Sequence, residues 1–245
     1  MEISERSLRQ MVREVDEQHR DGMKTIADDI AALHCGAAER LRDPSRRRFL
    51  RDVGAGGLAL VVAGAVVPVG GLMAAASAQT LDDPTIAKFA ESVELAAVAA
   101  YAAAAQSGKI KTPAVLMAAT TFASHHADHA KAFGAFAGDT ATATANPGIL
   151  KAVSDQLREA PDEAAVLAVA YATENAAAAT YLVAIGSFKG SVPLSATASI
   201  LPVEAQHAAV LGSVLGKDPK TDVDFLPPFQ TPDEALQASK FPIAS

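Results

Sequence analysis

Glu204 and His207 stand three residues apart in the stretch 200–211, which has the composition of a helix. At 3.6 residues per turn, positions three apart share one face of a helix. Ile200, Leu211 and Val214 fall on the same face, and their spacing is typical of a buried stripe. Charged side chains are rarely buried unless they are paired or bound to metal, so this pair is a candidate for two metal ligands on one helix.

Two alanine-rich stretches each place a glutamate seven residues before a tyrosine. They run from Glu94 to Tyr101 and from Glu174 to Tyr181, 80 residues later, and neither contains Gly or Pro. Alanine favours helix, and residues seven apart share a helix face. Glu91 competes with Glu94 as the inward carboxylate, but the repeat aligns Glu94 with Glu174. The two tyrosines either carry electrons or fill the core, and core filling is the favoured interpretation.

A polar pair three residues apart follows each of these stretches. His126 and His129 precede Glu204 and His207 by 78 residues. Two histidines on one apolar stripe, opposite three buried glutamates, are expected to be ligands. His125 falls about 100° off that stripe and is expected to be solvated. The internal repeat predicts two helical hairpins that pack as a four-helix bundle.

This four-part order resembles the ferritin-like superfamily over roughly residues 81–216, and most of all its exported bacterial members. That family binds two metal ions with one Glu from each of two helices and Glu-x-x-His from each of the other two. The resemblance implies an iron site, of one or two ions, with manganese or zinc as alternatives. Its ligands would be Glu94, His126, His129, Glu174, Glu204 and His207. His126 stands where the family has a Glu, so one carboxylate is missing.

The predicted fold is all-α: a ferritin-like four-helix bundle over residues 79–216. Asp83-Pro84 and Thr112-Pro113 mark the starts of the first two bundle helices, and Gly108 and Gly138 mark their ends. The third bundle helix is expected from Pro161 and the fourth from about Pro193 to Leu215, with a kink or break at Pro202. Residues 139–160 are long enough to form a crossover between helices 2 and 3.

Three further segments surround the bundle. Residues 1–44 form an amphipathic extension, interpreted as a solvated or loose helix, with partner binding as the alternative. Residues 45–78 resemble a twin-arginine export signal: Arg46-Arg47 with Phe49-Leu50, an uncharged stretch over 53–73, and a small-residue cleavage site at 76–78. The uncharged stretch is also long enough to anchor the chain in a membrane as a helix. Residues 217–245 contain five prolines and are expected to cross the bundle as an extended strap.

Charge and cysteine content exclude other classes. The net charge of −7 falls entirely on residues 79–245, which hold 10 basic and 17 acidic residues. That balance argues against nucleic-acid binding. A single cysteine, Cys35, permits no internal disulfide.

The expected function is that of an exported metal-binding protein, located in the periplasm or cell envelope or anchored to the membrane, acting as an iron-dependent oxidase or ferroxidase. The alternative is a non-catalytic envelope bundle, structural or stress-related, with a vestigial or structural metal site. The sequence leaves open whether the protein is an enzyme. Its expected partners are the twin-arginine export machinery and further copies of the same chain.

Overall fold

The computed structural model describes residues 3–34, 60–62, 65–67, 81–218, 235–238 and 240–243. These residues form six α-helices and one pair of short strands, so the fold is all-α in its main part, as predicted. In chain order the elements are α1 (Glu5–His34), β1 (Leu60–Val62), β2 (Ala65–Val67), α2 (Asp83–Gln106), α3 (Pro113–Ala137), α4 (Pro147–Glu159), α5 (Glu163–Ser187) and α6 (Ser191–Val214). A 3-10 turn over Gly138–Thr140 follows α3.

The two strands lie in the apolar stretch for which a signal or anchor helix was predicted. β1 and β2 pair antiparallel, with Leu60 opposite Val67. Each strand contains two valines, whose branched side chains favour extended backbone over helix. The described part of residues 53–73 is therefore strand. The arginine motif and the cleavage site at 76–78 lie outside the described residues.

Helices α2 and α3 form one hairpin of the bundle, and α5 and α6 form the other. Asp82 caps α2 by accepting a hydrogen bond from the backbone N–H of Thr85 at 3.0 Å. The cap is thus Asp82, one residue before the Asp83-Pro84 pair that was predicted to mark the start of the helix. Asp83 instead accepts hydrogen bonds from the N–H groups of Lys189 and Gly190, at 2.9 and 2.7 Å, and so holds the α5–α6 link against the start of α2.

The crossover between the hairpins contains α4, which packs against α2 and α5. Asn146 caps α4 by accepting from the N–H groups of Gly148 and Ile149. In the last helix, α6 is continuous through Pro202, so the predicted break is absent. The described C-terminal residues lie along the same side of the bundle: Leu236 N donates to Thr180 Oγ1 at 2.8 Å, and Asn146 Nδ2 donates to the carbonyl of Phe241 at 2.9 Å.

Helix α1 covers the opposite side of the bundle, where it packs on α3 and α6. Its predicted apolar stripe is present, and most of that stripe is buried: Leu8, Val12, Val15, His19 and Ile26. The interpretation of this segment as a solvated or loose helix is therefore wrong. The stripe is buried because the partner of the amphipathic helix is the bundle of its own chain.

Helix α5 carries a central part of the core. It is long and apolar enough to span a membrane by length and composition, but 56% of the relevant window is buried inside the fold. Such burial is typical of the core helix of a bundle.

Candidate metal centre

The six residues predicted as ligands lie together at the centre of the bundle. Glu94 comes from α2, His126 and His129 from α3, Glu174 from α5, and Glu204 and His207 from α6. All six side chains are 0–1% exposed. Glu91 does not join them: its carboxylate accepts hydrogen bonds from the N–H groups of Thr142 and Ala143 and holds the start of the crossover. The choice of Glu94 over Glu91 from the repeat therefore agrees with the geometry.

Two overlapping groups of donor atoms form this cluster. Within each group, one atom per residue lies within 4.8 Å of the others. The first group contains Glu94, His126, His129 and Glu204, and the second contains His126, Glu174, Glu204 and His207. His126 and Glu204 belong to both. An arrangement of two ligand groups with shared members has the form of a site for two adjacent metal ions.

His126 lies between glutamates of the two halves. Its Nδ1 is 2.6 Å from Oε2 of Glu94, and its Nε2 is 3.1 Å from Oε1 of Glu174. Burial lowers the pKa of His126, but the carboxylates of Glu204, Glu174 and Glu94 outweigh it and raise that pKa well above its usual value. The metal-free imidazole is therefore charged and donates from both nitrogens. One side chain thus links the two glutamates of the repeat.

The contact between His129 and Glu204 has the distance of an ion pair without the direction of a hydrogen bond. Nδ1 of His129 is 2.8 Å from Oε1 of Glu204. Yet among the described residues neither nitrogen of His129 and neither carboxylate oxygen of Glu204 has a hydrogen-bond partner of acceptable geometry. Buried polar atoms that face one another without aligned hydrogens are suited to sharing a cation.

The pKa values of His129 and of the neighbouring Glu94 and Glu174 follow from the charges of the cluster. Burial lowers the pKa of His129, but Glu94 and Glu204 outweigh it and raise the value to about 9. Burial raises the pKa of Glu94, but His126 and His129 outweigh it and lower the value to about 2. The pKa of Glu174 is lowered well below its usual value in the same way, by His126 and His207 against burial. Imidazolium and carboxylate groups therefore compensate each other in the metal-free cluster.

The two tyrosines of the repeat exchange hydrogen bonds between the halves. Tyr101 Oη donates to Oε1 of Glu174, and Tyr181 Oη donates to Oε1 of Glu94. Burial and the neighbouring glutamates raise both tyrosine pKa values well above normal, so the hydroxyls stay protonated and remain donors. The favoured interpretation of core filling is therefore incomplete. Each tyrosine fills the core with its ring and orients the glutamate of the other half with its hydroxyl.

His125 is the residue that the sequence interpretation placed wrongly. It is 1% exposed, because α1 covers the face of α3 that was expected to meet solvent. Its Nδ1 is 2.9 Å from Nε2 of His207, and its Nε2 is 3.2 Å from Oδ1 of Asp16 on α1. Burial and the surrounding histidines lower the pKa of His125 to about 2, so this ring is neutral.

The hydrogen bonds of His125 indicate which ring nitrogens of His125 and His207 carry protons. An ionised carboxylate only accepts, so Nε2 of His125 carries the proton that faces Asp16. In a neutral ring Nδ1 then accepts, and Nε2 of His207 donates to it. The remaining nitrogen of His207, Nδ1, faces Glu174 and Glu204 at 3.3 and 3.4 Å. When His207 is neutral, its free lone pair therefore points into the centre, as a metal ligand requires.

A third group of donors lies where α1 meets α3. Asp16, His19 and His125 each offer one atom within 4.8 Å of the others. His19 is 2% exposed, and its ring stacks on that of His125 with centroids 3.9 Å apart. A signal for it was present in the sequence: Asp16-x-x-His19 has the same spacing as Glu204-x-x-His207.

A small cavity reaches the centre from the side opposite α1. Its volume is about 10 Å³, which is close to the space of one water molecule. Glu94, His126, Thr173 and Glu174 contribute the polar part of its lining, and the remaining lining residues, which include Val93, Ala97 and Ile149, are apolar.

Comparison with known proteins identifies one match. Residues 82–217 match the family model described as Ferritin-like domain. No curated protein and no solved structure matches the chain.

Proposed function

The chain belongs to the ferritin-like domain family, and on that premise we propose that its buried cluster binds two divalent metal ions, with iron as the leading candidate, and oxidises ferrous iron with dioxygen. The observation that carries this proposal is the overlap of the two donor groups at His126 and Glu204. Carboxylates and imidazoles together suit iron, and manganese and zinc are the alternatives.

The residues present fit such ions by charge and by unsatisfied atoms. Three glutamates supply three negative charges, and three histidines supply neutral nitrogen donors once they lose their protons. Among the residues that the structure describes, neither oxygen of the buried Glu204 carboxylate has an aligned hydrogen-bond partner, so Glu204 would be suited to hold both ions. Glu94 with His129, and Glu174 with His207, would complete the two sides. Bound ferrous ions would supply the electrons that reduce dioxygen.

The size of the cavity favours a small substrate. A space of about 10 Å³, whose lining is apolar apart from the polar groups of Thr173 and the metal centre, admits dioxygen or water but not an organic molecule. We therefore favour a ferroxidase over an oxidase that acts on an organic substrate. The protein's part is to hold the ions, to orient Glu94 and Glu174 through the tyrosines, and to limit the access of water.

Metal analysis and oxygen consumption test this proposal. Purified protein loaded anaerobically with ferrous iron is expected to bind about two ions per chain and to consume oxygen on exposure to air. Glu94→Gln should reduce both readings. Glu91→Gln is the matched control, because Glu91 is a buried carboxylate on the same helix that faces the crossover instead of the cluster. Equal readings for the two variants would contradict the assignment of the centre.

A second candidate function is a non-catalytic bundle with one structural metal ion. The presence of His126 in place of a fourth carboxylate favours it, because an imidazole does not bridge two ions as a carboxylate oxygen does. In that case the protein would bind about one ion per chain and would not consume oxygen with ferrous iron. Zinc retained through purification would support the same candidate.

Export by the twin-arginine route stays a prediction, and the packing of α1 sets a condition on it. Residues ahead of a twin-arginine signal remain on the cytoplasmic side, and cleavage near residue 78 would remove them. In both cases α1 would have to leave the face of α3 and α6 on which it lies. Replacing both Arg46 and Arg47 with Lys should keep an exported protein in the cytoplasm, whereas unchanged localisation would reject the signal.

A further inference from the structure

The α1–α3 contact contains a donor set that the ferritin-like centre does not use. Two imidazoles and one carboxylate converge there from two helices: Asp16 and His19 from α1, and His125 from α3. We propose that these three residues form a separate outer site for one divalent transition-metal ion. The site itself does not depend on the chemistry proposed for the centre.

The geometry of the three side chains supports this site. Nε2 of His125 and Oδ1 of Asp16 are 3.2 Å apart. Neighbouring ligands of a tetrahedral ion with bonds of about 2.1 Å are about 3.4 Å apart, so an ion can sit beside both atoms with little movement. His19 must turn out of its stack on His125 to complete the set. The lone pairs of stacked rings lie in nearly parallel planes, so they do not converge on one ion.

Two further observations indicate that the donors are available. Nε2 of His19 is buried without a hydrogen-bond partner among the residues that the structure describes. The two oxygens of Asp16 also have separate roles: Oδ1 faces His125, and Oδ2 pairs with the exposed Arg20.

The donor types select the kind of ion. Two imidazoles and one carboxylate suit zinc, cobalt and ferrous iron, whereas calcium and magnesium require more oxygen ligands. Asp16 is the most exposed of the three residues, so an ion can enter from the α1 side. The cavity beside Glu94 lies on the other side of the bundle, lined mostly by α2, α4 and α5, with His126 from α3.

Occupancy of the outer site is coupled to the centre through the His125–His207 hydrogen bond, and this coupling alone rests on the proposed function. An ion on Nε2 of His125 moves that ring's proton to Nδ1, which then donates to Nε2 of His207. A neutral His207 must then carry its proton on Nδ1, the nitrogen that faces Glu174 and Glu204. An ion in the outer site therefore weakens His207 as a ligand of the centre.

Cobalt(II) spectroscopy of the full chain tests the site. In a background where Cys35, the single cysteine, is replaced by serine, Asp16→Cys would place a thiolate at the outer site. Added Co²⁺ should then give a thiolate-to-cobalt charge-transfer band. Glu17→Cys is the matched control, because Glu17 is the next residue along α1 and its side chain is exposed. This variant should give no such band. Adding His19→Gln to Asp16→Cys should weaken the band.

Failure of this site and failure of the centre can be distinguished. The band reports only on position 16, so it should persist when Glu204→Gln disables the centre. No band in Asp16→Cys, or an equal band in Glu17→Cys, would overturn the outer site whatever the centre binds. Circular dichroism of each variant before cobalt is added checks that the helices are intact. If Asp16→Cys fails this check, Asp16→Asn replaces it. The measurement is then the number of Co²⁺ ions bound per chain, which should fall by one weakly bound ion.

The coupling has a test of its own. His207→Gln leaves a side chain that can accept from Nδ1 of His125 without competing for a metal ion in the same way. The affinity of the outer site for Co²⁺, read from the Asp16→Cys band, should rise about tenfold in this variant. An unchanged affinity would reject the coupling and leave the site in place.

Discussion

The α2–α3 and α5–α6 hairpins of the bundle carry the same arrangement of polar residues around the centre, except at one position. Each contributes a glutamate and, two turns later, a tyrosine that donates to the glutamate of the other hairpin. Each then contributes a pair of polar residues three apart. In the second hairpin the pair begins with Glu204, and in the first it begins with His126. The symmetry thus holds for the residues that orient the site and fails at a residue shared by both donor groups.

The difference changes the electrostatics of the metal-free protein. A fourth glutamate would leave four buried carboxylates with only two histidines, and like charges at such distances destabilise a fold. With His126 the cluster has three glutamates and three histidines whose pKa values are raised. The two sets balance in charge. Charge compensation in the cluster therefore does not require a metal ion, whereas the centre lacks one bridging carboxylate.

Glu204→Gln should have the largest effect on metal binding, because Glu204 belongs to both donor groups. We expect metal content to fall from about two ions to less than one per chain. Glu94→Gln and Glu174→Gln should each lose about one ion, since each glutamate belongs to one group. Metal analysis of the three variants after identical loading checks this order. Equal losses in all three would show that Glu204 is not shared.

His126→Glu gives both hairpins the same metal-facing residues. It should lower the stability of the metal-free protein and increase metal binding. Without metal the fourth buried carboxylate loses its compensating charge, which we expect to cost about 3–5 kcal/mol of unfolding free energy. With metal, four carboxylates balance four positive charges, so two-ion occupancy at limiting iron should rise above that of the wild-type chain. Metal per chain and melting temperature, each measured with and without iron, check the result.

The result for this variant also tests the role of His126 itself. A lower melting temperature with no gain in metal would rule out His126 as a ligand and leave it as a charge-compensating core residue. His125→Gln serves as a comparison, because it alters the neighbouring buried histidine, which belongs to neither donor group of the centre.

The pH dependence of the metal-free protein should separate the centre from the α1 contact. The pKa of His129 is raised from 6.5 to about 9, so its stabilisation is complete below pH 6.5 and is lost as the pH rises through 9. The pKa of His19 is lowered from 6.5 to about 3 by burial and by His125, His129 and His207, against Asp128. His19 stays neutral in the folded protein but is protonated in the unfolded chain below pH 6.5. The free energy of unfolding therefore decreases as the pH falls below 6.5.

Melting temperatures between pH 5 and pH 10, measured in the presence of a chelator, should accordingly fall at both ends of the range. His129→Gln should flatten the alkaline side, and His19→Gln should flatten the acidic side. The same flattening in both variants would contradict the contrast between a carboxylate-rich centre and a carboxylate-poor α1 contact.

Periodicity and the internal repeat were sufficient to predict most of the bundle. The Pro and Gly residues at the helix ends gave helix boundaries within a few residues, and the alignment of Glu94 with Glu174 excluded Glu91. These signals are local, or they repeat within the chain. His125 was placed wrongly because its burial depends on α1, which lies more than 90 residues earlier in the sequence. A helical stripe shows that α1 buries one face, but it does not indicate which surface receives that face.

The reciprocal tyrosine bonds could be inferred only in part. The Glu-x6-Tyr repeat placed each tyrosine on the face of its own glutamate. That Tyr101 reaches Glu174, and Tyr181 reaches Glu94, depends on how α2 and α5 pack together, which the sequence does not state. Because the two bonds are related by the repeat, they provide the finest test of the symmetry.

Tyr101→Phe and Tyr181→Phe should have small and nearly equal effects. Each change removes one hydrogen bond to a charged carboxylate, worth about 1.5–3 kcal/mol, and keeps the ring that fills the core. Each glutamate also retains histidine contacts, namely His126 for both, with His129 for Glu94 and His207 for Glu174, so the measured loss should lie at the lower end of that range. Denaturant unfolding of the metal-free variants provides the measurement.

Tyr171→Phe, at a buried tyrosine outside both donor groups of the centre, is the control for loss of a hydroxyl as such. A loss at Tyr101 much larger than the loss at Tyr181 would show that the exchange supports mainly the α5–α6 side, where Glu174 and His207 lie, and that the two hairpins do not contribute equally to orienting the centre.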